Sequence, residues 1–219
     1  MTRKVFEANL EDLHAELLRM GSMVEKQIYD CMEALEKQDE VGAKKVVEKD
    51  DIVDNTQKEI ENKIIRLILM QQPIVAEDLR NVFTTTKIVT ELERIGDHAV
   101  DIAKVIKRLN GEKHPDIVSD IWSMANKVKS MIKDSLDAYV EKDLDAAYEV
   151  CKRDDEVDAY YKRIFNELLE IMMKDTNKIN RHTQFLFVCK YLERIADRTT
   201  NICECTIYLI TGKQVDLND

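Results

Sequence analysis

The sequence predicts an all-α protein, with six long helices arranged as two repeated antiparallel three-helix bundles. Three observations support this prediction. The 219 residues include only 5 glycines and 2 prolines, whereas average usage gives about 26 of these residues in a chain of this length. Apolar residues recur at helical spacing, and stretches of the second half repeat stretches of the first. A β-sandwich, which needs frequent turns, and a nucleotide-binding fold with a glycine-rich loop are therefore excluded.

The first two helices follow from apolar periodicity. Apolar residues recur mostly every three or four positions from Leu10 to Leu35, as on a helix that packs lengthwise in a bundle, and predict a helix over 5–38. A similar stripe predicts a second helix over 39–71. This helix is expected to end before Pro73, because proline lacks the N–H group that would continue it.

Turn-forming residues mark the end of the third helix and the boundary between the halves. A helix is predicted over 76–110, because Gly111 is typical of the position that follows a helix C-terminus. The next stretch, 112–115, is turn-rich and provides a natural hinge. The chain is therefore predicted to divide into two three-helix units, 1–112 and 113–219.

The fourth, fifth and sixth helices are predicted from an internal repeat. Residues 134–158 align with 30–54 at an offset of 104, and both stretches end in Asp-Asp-x-Val-Asp. Residues 192–197 then align with 92–97 at an offset of 100. The offset changes by four around Pro73, which predicts a shorter connection at the equivalent place in the second half.

Rows of oxygen-bearing side chains, spaced by four residues, lie opposite the apolar stripes of the predicted third and sixth helices. The members of these rows are Glu93, Asp97 and Asp101 in the first half and Glu193, Asp197 and Asn201 in the second. The predicted second and fifth helices each add an acidic pair near the edge of the apolar stripe. These pairs are Asp50 with Asp54 and Asp154 with Asp158.

Two interpretations of the acidic rows remain open: a solvated helix face, or a set of ligands for cations. Like charges four residues apart oppose helix formation by about 0.2–0.5 kcal/mol per pair, and a merely solvated face would normally alternate signs. Parallel carboxylates on neighbouring helices offer oxygen ligands to hard or borderline cations. Because the arrangement occurs in both halves, we expect metal binding, with a metal-free helical-bundle adapter as the alternative.

Other functional classes have less support. The net charge of −10 argues against nucleic-acid binding, whose footprint is basic. No Ser/His/Asp or Cys/His pairing indicates a nucleophile, and acid–base catalysis needs a desolvated carboxylate that an outer face does not provide. Glu11 and His14 form a single Glu-x-x-His pair, where a ferritin-like site needs two. We expect a protein that is not an enzyme, with a carboxylate-bridged metalloenzyme as a further alternative, and we expect His98 to be exposed.

The cysteines and the apolar runs indicate a cytoplasmic location. The N-terminal stretch has no apolar signal core, and the longest uncharged run, 67–76, is about half of the ~20 residues that a membrane span needs. Five scattered cysteines, an odd number without a Cys-x-x-Cys pair, are typical of reduced thiols in a cytosol.

Motifs on the predicted third and sixth helices resemble those of the PhoU family, the cytoplasmic phosphate-uptake regulators of bacteria. The resemblance lies in Glu-Arg-Ile-Gly-Asp-His-Ala-x-Asp-Ile at 93–102 and Glu-Arg-Ile-Ala-Asp-Arg-Thr-x-Asn-Ile at 193–202. It extends to Gln-Pro-x-x-x-x-Asp-Leu-Arg at 72–80 and to the first-helix pattern that begins at Leu13. It covers nearly the whole chain, 1–212.

The resemblance implies two three-helix bundles side by side, with iron or zinc ions at surface sites made by paired acidic motifs. The matching positions are Glu93, Asp97, Glu193, Asp197, Asp50, Asp54, Asp154 and Asp158, and Asp101 and Asn201 continue the two rows. Because Asn201 is neutral, the second site would carry one fewer charge. The Asp-Leu-Arg segment at 78–80 has no clear counterpart in the second half.

The resemblance also implies a function and partners. The family members are negative regulators of phosphate uptake and of the phosphate-starvation response. By this resemblance the protein would contact the ATPase of the phosphate ABC transporter and a membrane sensor histidine kinase, and would meet the membrane only through them. A homodimer is expected as well, because an elongated bundle can pair through an exposed apolar flank.

Overall fold

The computed structural model describes residues 3–71, 73–109 and 118–217. Within these ranges the chain is helical apart from short connections, and no strand occurs. The helices are α1 (Arg3–Lys37), α2 (Glu40–Met70), α3 (Ala76–Leu109), α4 (Val118–Glu141), α5 (Leu144–Lys152), α6 (Asp154–Lys174) and α7 (Ile179–Thr211). A short 3-10 turn, Thr176–Lys178, precedes α7. The all-α prediction is confirmed, and the first three helices begin and end within about two residues of their predicted bounds.

The predicted fifth helix is interrupted at Arg153, so that α5 and α6 together take its place. The N–H of Arg153 donates to the carbonyl of Val150, three residues back, which tightens the helix locally. The guanidinium of Arg153 also pairs with Asp134 of α4 at 2.6 Å. Because the chain contains no glycine or proline here, composition alone gave no sign of this break.

The turns that follow α1 and α4 have the same structure. Gln38 and Lys142 adopt positive φ angles of 54° and 53°. The next N–H groups, of Asp39 and Asp143, donate to carbonyls five residues earlier, which closes each helix end. The same two aspartates then cap α2 and α5 by accepting a backbone N–H of the first turn. The sequence repeat is therefore also a repeat of local structure.

The predicted buried stripes form the core of both halves. Helices α1, α2 and α3 pack against one another, as do α4, α5, α6 and α7, and the halves meet along α3–α7 and α1–α4. The stripe residues of α3 and α7 are all buried; they are Ile88, Leu92, Ile95, Ala99, Ile102 and Ile106, and Val188, Leu192, Ile195, Thr199, Ile202 and Thr206. The predicted boundary between 1–112 and 113–219, with Gly111, lies outside the described residues and stays a prediction.

Helices α3 and α7 run antiparallel, and their contacts come in equivalent pairs. Glu91 of α3 pairs with Arg198 of α7 at 3.4 Å. His98 of α3 stacks on Tyr191 of α7, with 5.9 Å between ring centroids. Since positions 91 and 191 are equivalent, as are 98 and 198, the two contacts are exchanged by an approximate two-fold axis between the halves.

A buried polar network joins the halves where α1, α3 and α4 meet. The hydroxyl of Tyr139 donates to Asn81 at 3.0 Å and lies 2.6 Å from the hydroxyl of Thr85. His14 lies 3.3 Å from the same Asn81 oxygen, and burial lowers the pKa of this histidine. The Glu-x-x-His motif at 11–14 therefore contributes a histidine to the contact between halves.

No helix within 3–71, 73–109 and 118–217 combines the length and the apolar character that crossing a bilayer requires.

Candidate cation-binding clefts

The predicted acidic rows lie between neighbouring helices. The expectation that they face outward from the core holds for the exposed Asp97 and is wrong for the other members, which are partly buried. Helices α3 and α7 are central and have a second buried side about 100° from the predicted stripe. Gly96 and Val100 on α3, and Ala196 and Thr200 on α7, are buried on that side. The other carboxylates of the rows therefore sit at the edge of packed surface, half-buried.

The structure brings eight of the ten predicted residues together in two groups of four. The first acidic cluster consists of Asp50, Asp54, Glu93 and Asp97, between α2 and α3. The second acidic cluster consists of Asp154, Asp158, Glu193 and Asp197, between α6 and α7. Each cluster combines the acidic pair of one helix with the row of another, as expected for neighbouring helices that share a site.

Asp101 and Asn201, which continue the two rows, have other contacts. Asp101 accepts from Lys104 at 3.4 Å and lies 3.9 Å from the ring of His98. Asn201 lines the second cleft, and its amide donates to Glu91 of the first half at 3.2 Å. The first half thus reaches the rim of the second cluster.

The second acidic cluster lines a cleft of about 710 Å³. Burial, together with the nearby carboxylates of Asp197, Asp158 and Glu193, raises the pKa of Asp154 to about 7. Burial and the carboxylate of Glu193 also raise the pKa of Asp197. Like charges held in a half-buried cleft therefore favour binding of a proton or another cation.

The first acidic cluster has the same electrostatic character. Burial raises the pKa of Asp50 and of Glu93, and neighbouring carboxylates of the cluster contribute to both shifts. Gln27 of α1 opposes the shift at Asp50, because its amide donates to that carboxylate at 3.1 Å. Sequence reasoning missed Gln27, although a glutamine within an otherwise apolar helix stripe is a signal that it has a polar partner.

A lysine gives the second acidic cluster a positive charge of its own. The ammonium group of Lys190 contacts both carboxylate oxygens of Glu193, at 2.7 and 2.6 Å. The equivalent position in the first half is Thr90, which carries no charge. Lys190 also went unnoticed in the sequence, where it reads as an ordinary surface residue three positions before a glutamate.

His98 is not exposed as predicted. Its side chain is only 12% exposed, because Tyr191 of α7 covers the ring. Burial lowers the pKa of His98, so the neutral imidazole is favoured. The residue belongs to the contact between the halves.

The donor chemistry of both clusters fits a cation, but the side chains do not form a finished cage. Half-buried carboxylates are ligands that hard or borderline cations accept, and a cation would offset their repulsion. In the part of the chain that the structure describes, no three His, Cys, Asp or Glu side chains converge closely enough to hold one ion. Binding would therefore require these carboxylates to turn toward a common point.

Comparison with known proteins matches the chain over almost its whole length. The PhoU domain family matches residues 17–106 and 121–206, one match in each half. A phosphate-specific transport system accessory protein PhoU homolog from Clostridium acetobutylicum is 80% identical over 219 residues, which is 100% of both chains.

Two solved structures have the same architecture. The phosphate transport system regulatory protein PhoU from Streptococcus pneumoniae superposes with a TM-score of 0.89 at 31% identity, covering 96% of this chain and 99% of that one. PhoU from Pseudomonas aeruginosa superposes with a TM-score of 0.88 at 37% identity, covering 95% and 100%. With two domain matches, a repeated fold and the acidic motifs in place, the chain belongs to the PhoU family.

Proposed function

We propose that the protein is a non-catalytic cytoplasmic regulator of phosphate uptake. The observation that carries this proposal is the 80% identity, over the full length, with a phosphate-specific transport system accessory protein. The names of the relatives describe accessory and regulatory proteins rather than enzymes. We propose that the protein is a negative regulator, which holds the phosphate-starvation response off when phosphate is plentiful.

The proposed partners are the ATPase of the phosphate ABC transporter and a membrane sensor histidine kinase. Long helices such as α1 and α2, of 35 and 31 residues, provide faces of the kind that partner domains dock on. The proposal includes a homodimer and contact with the membrane only through these partners.

Deletion of the gene tests the regulatory role. We expect phosphate-responsive transcription and phosphate uptake to become constitutive, and re-expression of the wild-type chain to restore repression. Unchanged transcription and uptake in the deletion strain would contradict the proposal. Co-purification with the transporter ATPase and with the kinase, each expressed alone, separates the two proposed contacts.

The proposal includes binding of metal ions, iron or zinc, by the two acidic clusters as a modulator of partner contacts. It is supported by the proximity of the carboxylates in both clusters, where burial and then repulsion between carboxylates raise the pKa of Glu93 and of Asp154. When bound, a metal ion would supply positive charge that neutralises a cluster. The residues that would hold it are Asp50, Asp54, Glu93 and Asp97, and Asp154, Asp158, Glu193 and Asp197.

Metal analysis of the purified protein tests this part. We expect stoichiometric uptake of added iron or zinc that is lost in Glu93→Gln/Asp97→Asn and Glu193→Gln/Asp197→Asn variants. If the wild type takes up no metal, or the variants take up as much, the clusters are not metal sites. A metal-free adapter then remains, for which the same variants should slightly stabilise the fold and leave partner binding intact.

A further inference from the structure

The two acidic clusters have equivalent carboxylates but different residues beneath them. Gln27 lies under the first cluster and is only 5% exposed. Its amide nitrogen donates to Asp50 at 3.1 Å, while its oxygen is buried without a hydrogen-bond partner among the described residues. The equivalent position in the second half is Met131, which is fully buried and has no N–H group to offer Asp154.

A second difference between the halves accompanies the first. Gly96 lies beside Gln27, and a Cβ atom at this position would come within 3.1 Å of the glutamine oxygen and 3.6 Å of an Asp50 oxygen. The equivalent residue in the second half is Ala196, which is fully buried. The absence of a side chain at Gly96 therefore leaves the room in which the glutamine reaches Asp50. The same two positions are therefore occupied by different pairs in the two halves, Gln27 with Gly96 in the first and Met131 with Ala196 in the second.

Stability alone does not account for the glutamine. A buried carbonyl oxygen without a partner is unfavourable, and an apolar side chain of similar length avoids that penalty, as Met131 does in the second half. A glutamine here must therefore serve the group that it contacts. Hydrogen bonds to metal-binding carboxylates fix the orientation of the ligand and typically change metal affinity by about 10- to 100-fold.

We propose that Gln27, admitted by Gly96, is a positioning residue that orients the Asp50 carboxylate and makes the first acidic cluster the tighter of two cation sites. The inference rests on the proposed metal binding. A second observation points the same way, because Lys190 contacts both oxygens of Glu193 and a cation at the second cluster must displace it. The first cluster has the neutral Thr90 at that position.

Mn²⁺ titration of single-cluster proteins tests the proposal. Mn²⁺ prefers oxygen ligands, so the five cysteine thiols compete for it less than for zinc. In an Asp154→Asn/Asp158→Asn background the second cluster loses two carboxylates, so that Mn²⁺ binding is measured at the first cluster. An Asp50→Asn/Asp54→Asn background likewise measures Mn²⁺ binding at the second cluster. We expect Gln27→Met to weaken Mn²⁺ binding by about 10- to 100-fold in the first background and to leave it unchanged in the second.

Thermal unfolding of the metal-free protein separates positioning from a structural role. The Gln27→Met/Gly96→Ala variant gives the first half the same two residues that the second half has at positions 131 and 196. We expect the Tm of this variant to equal or exceed that of the wild type. The reciprocal variant, Met131→Gln/Ala196→Gly, should tighten Mn²⁺ binding at the second cluster. A Gln27→Met variant with reduced Tm and unchanged Mn²⁺ affinity would assign the glutamine to structure and overturn the proposal.

The outcomes also distinguish this inference from the proposed metal function. If wild-type protein binds Mn²⁺ at both clusters and Gln27→Met changes neither, the positioning role fails while cation binding stands. If neither background binds Mn²⁺ or iron, the metal function itself fails, and the positioning role with it.

Discussion

The two acidic clusters place the same four carboxylates in different settings. In the first, an amide from Gln27 donates to Asp50. In the second, methionine replaces the glutamine, a lysine pairs with Glu193, and burial raises the pKa of Asp154 to about 7. The two halves therefore share the positions of the carboxylates but differ in the residues that contact and neutralise them.

The largest effect is expected from the shared core. Leu92→Ala and Leu192→Ala remove equivalent, fully buried side chains, and each should lower the free energy of unfolding by about 2–5 kcal/mol. Because α3 and α7 pack along one another, both variants should unfold in a single transition, measured by circular dichroism in urea. Two separable transitions, with only one shifted in each variant, would mean that the halves are independent units.

A smaller loss is expected where the halves meet through polar groups. Tyr139→Phe removes the hydroxyl that contacts Asn81 and Thr85, and the loss of these two buried hydrogen bonds should cost about 1–3 kcal/mol. Position 139 is equivalent to Leu35, which has no hydroxyl group and cannot donate the equivalent hydrogen bond. Tyr148→Phe, at a partly exposed tyrosine, serves as the control and should change stability by about 0.5 kcal/mol or less.

The pH dependence of stability should differ between the clusters. The folded-state pKa of Asp154, about 7, lies above its ordinary value of 3.8, so the folded state binds the proton more tightly than the unfolded state. The contribution of the Asp154 carboxyl group to the free energy of unfolding is therefore fully present below about pH 4 and is lost as the pH rises through 7. Asp154→Asn should stabilise the metal-free protein by about 1 kcal/mol at pH 8, a figure reduced for solvent screening in the open cleft.

Asp50→Asn is the matched variant for that experiment. The hydrogen bond from Gln27 lowers the pKa of Asp50, which opposes the effect of burial, so the gain at pH 8 should be smaller than for Asp154→Asn. Measuring Tm for both variants at pH 4 and pH 8, without metal, gives the comparison directly. Equal gains at the two positions would show that Gln27 contributes nothing to the electrostatics of the first cluster.

The smallest effect concerns the turn that both halves share. Gln38 and Lys142 adopt positive φ, a conformation that glycine accepts without strain, while glycine also increases the entropy of the unfolded chain. Gln38→Gly and Lys142→Gly should therefore each stabilise the protein by about 0.5 kcal/mol, to the same extent. Urea denaturation measures both, and a clear inequality would mean that the two turns are not under the same strain.

Much of the fold could be predicted because helical periodicity and the internal repeat report directly on burial. The stripe on α3, including Leu92, and its counterpart on α7 were confirmed for this reason. A helical wheel treats one helix and one partner at a time, however. It placed Glu93 opposite the core because it could not include the second packed side, around Gly96, that a central helix acquires.

The remaining errors and omissions have the same origin in tertiary contacts. His98 is covered by Tyr191 of the other half, more than ninety positions away in the sequence, and no local pattern encodes that stacking. The break at Arg153 accompanies an ion pair with α4. Gln27 was within reach of sequence reasoning, since aligning the repeats shows that it and Gly96 differ together from Met131 and Ala196.

The antiparallel pairing of α3 with α7 has a consequence for how the two sites can change. Equivalent helices that pair about a two-fold axis are what two identical subunits would form in a symmetric dimer, where every substitution necessarily appears twice. Because the two halves belong to one polypeptide, a substitution can occur in one half and not in the other. A lysine at position 190 can then enter one site while threonine remains at position 90 of the other. A single polypeptide can thereby carry two carboxylate clusters of unequal charge within one approximately symmetric fold.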